Sequence, residues 1–255
     1  MNSEYLIEER VIQRAMEPYP DLPQIVDFST PVVSFGYPHG AKVATVGINP
    51  SSNEFQIGNG NKNPLQIGEK RLVDTESLGL VNPKSLNRDQ AIKVIKGCYS
   101  YFSDGFPYKW FDELQSHVLS PIGLNYKNGD ACHLDLVQWA TDPVWQDKKM
   151  PKAAKARLLS TDQDFLRFQL TNYDFKYVFL NGSTVVEQVE KLGLFKMTTV
   201  HEISFNSKGT MSCISEAELG STTFIGWGLN IGYGATYSIG KQELSEWLSQ
   251  NVSIN

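Results

Sequence analysis

The stretch GINPSS, residues 47–52, places short polar side chains directly after an apolar run, Val43 to Ile48. The apolar run predicts a buried strand, and Pro50 would make the following loop rigid. A rigid loop holds the Asn49 amide at one position, where it can orient a water molecule or a polar group of a substrate. The alternative is an ordinary turn that contains a proline.

A second candidate is CHLDLVQW, residues 132–139, which predicts another strand. Alternation along a strand puts His133 and Asp135 on one side and Leu134 and Leu136 on the other. An ionised carboxylate only accepts hydrogen bonds, so Asp135 would favour a donor group of a ligand over an acceptor. The alternative is that Asp135 caps a neighbouring loop.

The third candidate is KKMPKAAKAR, residues 148–157, which has five basic residues and no acid in a chain of net charge −5. These side chains can bind phosphate groups near the mouth of a site. The alternative is a solvated helix face. The five residues are Lys148, Lys149, Lys152, Lys155 and Arg157.

These candidates need elements that position them, and the chain reads as short apolar strands alternating with helices. That order predicts an α/β fold with a parallel sheet covered on both faces, in one domain over residues 1–255. Ligands bind beyond the carboxyl ends of parallel strands. Three predicted strand ends are polar, at residues 49–52, at Asp135 with Gln138, and at residues 181–183.

The composition excludes several classes of function. There is no apolar run of membrane-spanning length and no apolar signal segment, so we expect a cytoplasmic protein without membrane contact. The three cysteines are scattered and there are only four histidines, so we expect no metal site. We expect the three cysteines to lie in the core. No P-loop, dinucleotide or serine-hydrolase motif is present, so we expect no cofactor.

The motif Gly47-Ile48-Asn49-Pro50 resembles the first motif of the uracil-DNA glycosylase superfamily, closest to its mismatch-specific and single-strand-selective branches. The resemblance covers residues 41–250 in element order. It implies a three-layer α/β/α sandwich around a mostly parallel four-stranded sheet, with a small β-rich C-terminal addition. It also implies that Asn49 positions the water that attacks the sugar C1′ and that Phe55 stacks on the flipped base. Ser51 stands where the classical enzymes have a tyrosine that crowds the base C5 position.

The chain departs from that family in its last loop, where the usual histidine is missing. The nearest candidates there are Trp227, Asn230 and Tyr233, with Asn230 as the donor to the leaving base and Trp227 as a DNA contact. His201 is another possible donor. The base-binding set that the resemblance implies is Ser51, Phe55, Asp135 and His133.

The activity that the resemblance implies is that of a monofunctional DNA glycosylase. Asp135 and Ser51 favour a 5-modified cytosine, such as that of hypermodified phage DNA. The alternatives are a uracil or mismatch repair enzyme, and a catalytically inactive binding module of the same fold. The expected partner is single- or double-stranded DNA, and the expected state is a monomer.

Overall fold

A computed structural model describes residues 3–58, 61–104, 107–204, 211–232 and 238–254. Its helices are α1 Ser3–Met16, α2 Arg88–Tyr99, α3 Tyr101–Asp104, α4 Trp110–Leu114, α5 Lys152–Asn172, α6 Ser183–Glu190 and α7 Ser238–Asn251. Its strands are β1 Val43–Gly47, β2 Gln56–Gly58, β3 Asn61–Pro64, β4 Ala131–Asp135, β5 Tyr177–Asn181, β6 Thr198–Ser204, β7 Met211–Leu219 and β8 Thr222–Trp227.

The chain divides into two compact units, each built from segments that are distant in sequence. The first unit holds residues 1–36, 48–106 and 135–172, and the second holds residues 37–47, 107–134 and 173–255. The division gives the site residues after β1 and after β4 to the first unit. A single domain over residues 1–255 stays a prediction.

The second unit contains a six-stranded sheet in the order β4-β1-β5-β8-β7-β6. The β1–β5 and β5–β8 pairs are parallel, whereas β7 runs antiparallel to both β8 and β6. The α/β class is confirmed, but the sheet has six strands where four were expected. The β-rich C-terminal segment joins it because β8 pairs directly with β5, so this segment is not a separate addition.

The central strands are apolar because they are covered. All five residues of β1 are buried, and Val178, Phe179 and Leu180 of β5 are 0% exposed. Continuous apolar runs of this kind are typical of parallel strands with both faces packed.

The first unit packs the helices α1, α2 and α5 with the segments that leave β1 and β4. Helix α2 begins with a capping box: the Asn87 side chain accepts from Gln90 N at 3.0 Å, and the Gln90 side chain accepts from Asn87 N at 2.9 Å. Such reciprocal bonds satisfy two backbone donors at the start of a helix. An apolar cluster of this unit contains Val137, Trp139, Trp145, Met150, Ala154 and Leu158, with Ile48 packed against it.

A buried ion pair joins α1 to α5 within the first unit. Arg14 and Asp162 are 1% and 0% exposed, and an Arg14 guanidinium nitrogen donates to Asp162 Oδ1 at 2.7 Å. Helix α1 is therefore not anchored by apolar residues alone. Over the described ranges, no helix is both long enough and apolar enough to cross a membrane.

Candidate functional site

The site begins where two neighbouring strands end. Strand β1 stops at Gly47 and β4 at Asp135, and the two strands are adjacent in the sheet order. Just beyond them, Val137 N donates to Ile48 O at 2.9 Å. This bond keeps the two departing segments side by side, so Asn49 and Asp135 belong to neighbouring stretches of the first unit.

The Asn49 amide is held in one orientation through its nitrogen. Nδ2 donates to Pro50 O at 3.0 Å, to Thr141 Oγ1 at 3.1 Å and to Trp139 O at 3.2 Å. Carbonyl oxygens only accept, so they fix which end of the amide faces them. Among the described residues none donates to Asn49 Oδ1, and the side chain is half-buried. This oxygen is therefore placed to accept a hydrogen bond from a water molecule or a substrate.

The loop after Asn49 leads into a short 3₁₀ helix, Ser52–Glu54. Pro50 is buried, and the Ser51 hydroxyl caps the helix by accepting from Asn53 N at 3.2 Å. The small Ser51 side chain is thus turned back onto its own loop. Its role beside a base C5 position stays a prediction.

Phe55 ends this loop with its ring in the core of the first unit, at 1% exposed. A ring that stacks on a base must offer it a face. In this structure that face is covered, so the predicted stacking requires the ring to be uncovered first.

Glu54 is a residue that the sequence reasoning missed. It is 2% exposed, and the Tyr101 hydroxyl donates to its two carboxyl oxygens, each at 2.9 Å. Burial raises the pKa of Glu54 to about 8, against the lowering effects of the Tyr101 hydrogen bond and the Arg71 charge, and the Asp135 charge raises it further. Glu54 is therefore largely a neutral acid at pH 7. Its place in the same loop as Asn49 is the only sequence signal that could have found it.

A cavity of about 690 Å³ lies in the first unit and is connected to this loop by hydrogen bonds. Tyr101 lines it while bonding Glu54, and Arg71 lines it while donating to Asn53 O at 2.9 Å. Its remaining lining residues are Ile67, Lys70, Leu72, Val73, Glu76, Ser77, Gly97 and Ser100. The cavity wall and the candidate loop therefore support each other.

The segment after Asp135 is fixed by the buried ion pair. Asp135 is 5% exposed, and its carbonyl oxygen accepts from Gln138 Nε2 at 2.8 Å. Gln138 in turn accepts from Arg14 Nε at 3.1 Å and donates its backbone N–H to Asp162 at 2.7 Å. Burial raises the pKa of Asp162 to about 6, with the Arg14 charge opposing it. The network rigidifies the end of β4, where the predicted base-reading carboxylate stands.

The basic segment lies in the first unit, at the turn before α5 and along its first turns. Lys148, Lys149, Lys152 and Arg157 are exposed, while Lys155 is half-buried with its ammonium 5.7 Å from the centre of the Trp145 ring. Met150 and Ala154 lie between these cations and belong to the apolar cluster that Ile48 and Val137 contact. The cations are therefore anchored on the same packed cluster that supports the residues beside Asn49.

His133 lies in the core of the second unit, at 1% exposed. Its Nδ1 lies 2.7 Å from Thr45 Oγ1, and its ring contacts Trp110 and Phe111 edge-on. Strand alternation was predicted to place His133 on the same side of β4 as Asp135. In the structure, the contacts of His133 are with these core residues. In this structure His133 has no surface left for a base.

Asn181, at the end of β5, organises the last loop of the second unit. Its Oδ1 accepts from Trp227 Nε1 and Ile231 N, each at 3.0 Å, and its Nδ2 donates to Asn230 Oδ1 at 3.0 Å. Trp227 is only 1% exposed, so its predicted contact with DNA requires the ring to be uncovered first. Its indole lies in the core of the second unit, where its N–H donates to Asn181.

Asn230 is oriented in the opposite sense to Asn49. Its Oδ1 accepts from both Asn181 and Gly232 N, the latter at 3.0 Å, and the side chain is half-buried. Within the described ranges no acceptor faces its Nδ2. The amide therefore presents a donor, the group that the predicted role requires.

The remaining candidates are less informative. Tyr233 lies outside the described residues. His201 is exposed on β6, the edge strand, and stacks on Trp247 at 6.4 Å between ring centres.

Cys98 and Cys132 are buried, but Cys213 is exposed, so its predicted core position is wrong. No cluster of three or more metal-binding side chains occurs in the part of the chain that the structure describes.

A scan against models of known protein families finds no match, and a search of curated proteins finds none either. Function must therefore be argued from the site.

Proposed function

We propose that this chain is a monofunctional DNA glycosylase that hydrolyses the N-glycosidic bond of a flipped-out base and leaves an abasic site. The observation that carries the proposal is the Asn49 amide, which is fixed through Nδ2 by three acceptors, while no described residue donates to its Oδ1. An oriented acceptor at a strand end holds a water molecule in line for attack on a sugar C1′.

The reaction needs orientation more than a strong base. The C1′–N1 bond breaks with its electron pair moving to the base, and the sugar becomes oxocarbenium-like. The water held by Asn49 adds to C1′, and its proton passes to solvent or to the departing base. Negative charge develops on the base as it leaves, and hydrogen-bond donors aimed at its oxygen stabilise that charge.

The base that fits best is a 5-modified cytosine, such as the hydroxymethyl- or glucosyl-hydroxymethylcytosine of phage DNA. Asp135 accepts a hydrogen bond from the exocyclic amino group and disfavours the O4 of uracil. Ser51 leaves room for a substituent at C5. An enzyme that removed unmodified cytosine would damage its own genome, so a defence role against modified DNA follows.

DNA is held by the exposed cations of residues 148–157, which lie on the cluster beside Ile48. The proposal includes a cytoplasmic monomer, single- or double-stranded DNA as the partner, and no cofactor. It also includes the three-layer α/β/α arrangement of the uracil-DNA glycosylase superfamily, with six strands in place of four.

The test is an oligonucleotide assay with alkali cleavage of abasic sites. Single- and double-stranded substrates carry uracil, mismatched thymine, cytosine, 5-hydroxymethylcytosine or its glucosylated form. Asn49→Ala is compared with the wild type and with Asn63→Ala, which removes an exposed amide elsewhere in the first unit. We expect product from the modified cytosines, which Asn49→Ala abolishes and Asn63→Ala does not.

Other outcomes separate the alternatives. Efficient cleavage of uracil with no cleavage of modified cytosine identifies a repair enzyme. DNA binding with no product from any substrate identifies an inactive module and refutes the proposal.

A further inference from the structure

The cavity of about 690 Å³ in the first unit is not used by the proposed mechanism. One wall is drawn from residues 67–77, and the other from residues 97–101 at the end of α2 and the start of α3. Pockets that bind small molecules have volumes of about 300–1,000 Å³ and carry a few polar groups on mostly apolar walls. The size of this cavity is therefore that of a small-molecule site.

Both walls of the cavity are held in place by contacts within the first unit. The Thr30 hydroxyl donates to Val73 O at 2.6 Å, and Thr75 N donates to Phe28 O at 3.0 Å. A Cβ at Gly97 would lie 2.8 Å from Val73 Cγ2, so the missing side chain of Gly97 lets α2 come this close to the opposite wall. The shape of the cavity is therefore set by packed elements.

Arg71 gives the cavity a cation that is held in one orientation. A guanidinium group has five N–H donors in a planar fork, and one of those of Arg71 donates to Asn53 O at 2.9 Å. This bond fixes the direction of the fork without neutralising its charge, because a carbonyl oxygen carries no formal charge. A guanidinium group held in this way can bind a phosphate group through two parallel hydrogen bonds at a low entropic cost.

Lys70, the other cation on the wall, is already paired with acids. Its ammonium group donates to Asp74 Oδ1 at 3.0 Å and to Glu76 Oε2 at 2.7 Å, and its side chain is 13% exposed. The attraction of the cavity for an anion is therefore concentrated at Arg71. One guanidinium group suits a ligand with a single phosphate group better than a polyphosphate.

The rest of the wall suits a ligand with a larger, partly apolar body. Leu72, Val73 and Gly97 offer apolar surface, while the Ser100 hydroxyl can both donate and accept hydrogen bonds. A nucleoside monophosphate combines one phosphate group with a planar base and a sugar hydroxyl. A bare phosphate ion would leave most of the cavity unfilled.

We propose that this cavity binds a nucleoside monophosphate, with its phosphate group on Arg71 and its nucleoside against Leu72, Val73 and Gly97. The site goes beyond the proposed glycosylase function. Its binding is measured without any cleavage of DNA, so the two proposals stand or fall separately.

Isothermal titration calorimetry with deoxycytidine monophosphate tests the site. We expect one molecule bound per chain, and Arg71→Met should raise Kd by about 10- to 100-fold, because it removes a charged donor and keeps an unbranched side chain. Ser100→Leu keeps the bond from Arg71 to Asn53 and fills part of the cavity, so it should also raise Kd by about 10-fold or more. The matched control is Lys93→Met, which removes an exposed cation of α2 outside the cavity and should leave Kd unchanged.

Two smaller ligands show which part of the nucleotide is recognised, and they need only the wild-type protein. Inorganic phosphate and deoxycytidine should each bind about 10-fold or more weakly than deoxycytidine monophosphate. Equal affinity for phosphate would exclude the nucleoside contacts, and equal affinity for deoxycytidine would exclude the phosphate contact with Arg71. Either result overturns the proposal, as does a wild-type protein that binds no nucleotide or a Kd that stays unchanged in Arg71→Met or Ser100→Leu.

Discussion

Replacing Glu54 by Gln should change how the stability of the protein depends on pH. The side chain is 2% exposed, and burial raises its pKa from 4.5 to about 8. Between these two values the folded protein holds a proton at Glu54 that the unfolded chain has released. The free energy of unfolding therefore falls as pH rises through this window, with a slope of up to about 1.4 kcal/mol per pH unit.

The size of the effect follows from the two pKa values, which differ by about 3.5. Linkage converts this difference to about 5 kcal/mol of stability that is present below pH 4.5 and lost by about pH 8. Glutamine has the shape of the neutral acid and does not titrate. Glu54→Gln should therefore resemble the wild type at pH 4.5 and exceed it in stability by several kcal/mol at pH 8.

Urea denaturation at half-unit steps from pH 4.5 to 8.5 measures both proteins. The difference between them isolates Glu54, because other groups, such as Asp162, titrate alike in the two chains. A difference that stays constant across the pH range would show that Glu54 ionises normally in the folded protein. It would refute the argument that burial keeps the acid neutral.

Two further predictions concern the basic segment and the buried ion pair. Replacing Lys148 and Lys149 by Glu should weaken DNA binding evenly across sequences and lower the slope of log K against log salt by about 2, since each lost phosphate contact removes about 0.9. Arg14→Leu should lower the free energy of unfolding by about 3–5 kcal/mol at pH 7.5, because Asp162 is left buried without its cation. The loss should be smaller at pH 4.5, where protonation of Asp162 relieves the unpaired charge.

Matched controls are available for both predictions. Lys93 and Lys96 are exposed on α2, and reversing their charges should leave the salt slope unchanged. Arg10 pairs with Glu17 at 3.2 Å but is 30% exposed, so Arg10→Leu should cost less than about 1 kcal/mol. Equal salt slopes for the two lysine pairs would exclude the basic segment as the DNA-binding surface. Equal losses for the two arginines would contradict a buried role for Arg14.

The strand-helix order was readable because local patterns carry it. The continuous apolar run at residues 43–48 matches β1, and the polar residues predicted to end strands at Asp135 and at residues 181–183 lie at the ends of β4 and β5. Strand number was not readable in the same way. Whether β6, β7 and β8 form their own sheet or extend the central one depends on pairing between β5 and β8, which no local pattern encodes.

The residues of the candidate site were also predictable from the sequence only in part. Sequence located Asn49 and Asp135 because polar residues at the ends of apolar strands stand out, and those strand ends are neighbours in the fold. It did not show that Trp227 and His133 are buried, because the type of a polar or aromatic residue does not reveal whether its partners cover it. Trp227 bonds Asn181 and His133 lies beside Thr45, each distant in sequence.

By itself, then, the sequence determined the α/β class, the strand ends that carry polar side chains and the exposed basic segment. Periodicity and residue type express these features locally. Only the tertiary structure decided which end of each amide faces outward, that Arg14 and Asp162 pair in the core, and that Glu54 is buried against Tyr101. Orientation, burial and protonation depend on groups that folding brings together from distant parts of the chain, and the low dielectric of the interior gives those contacts their effect.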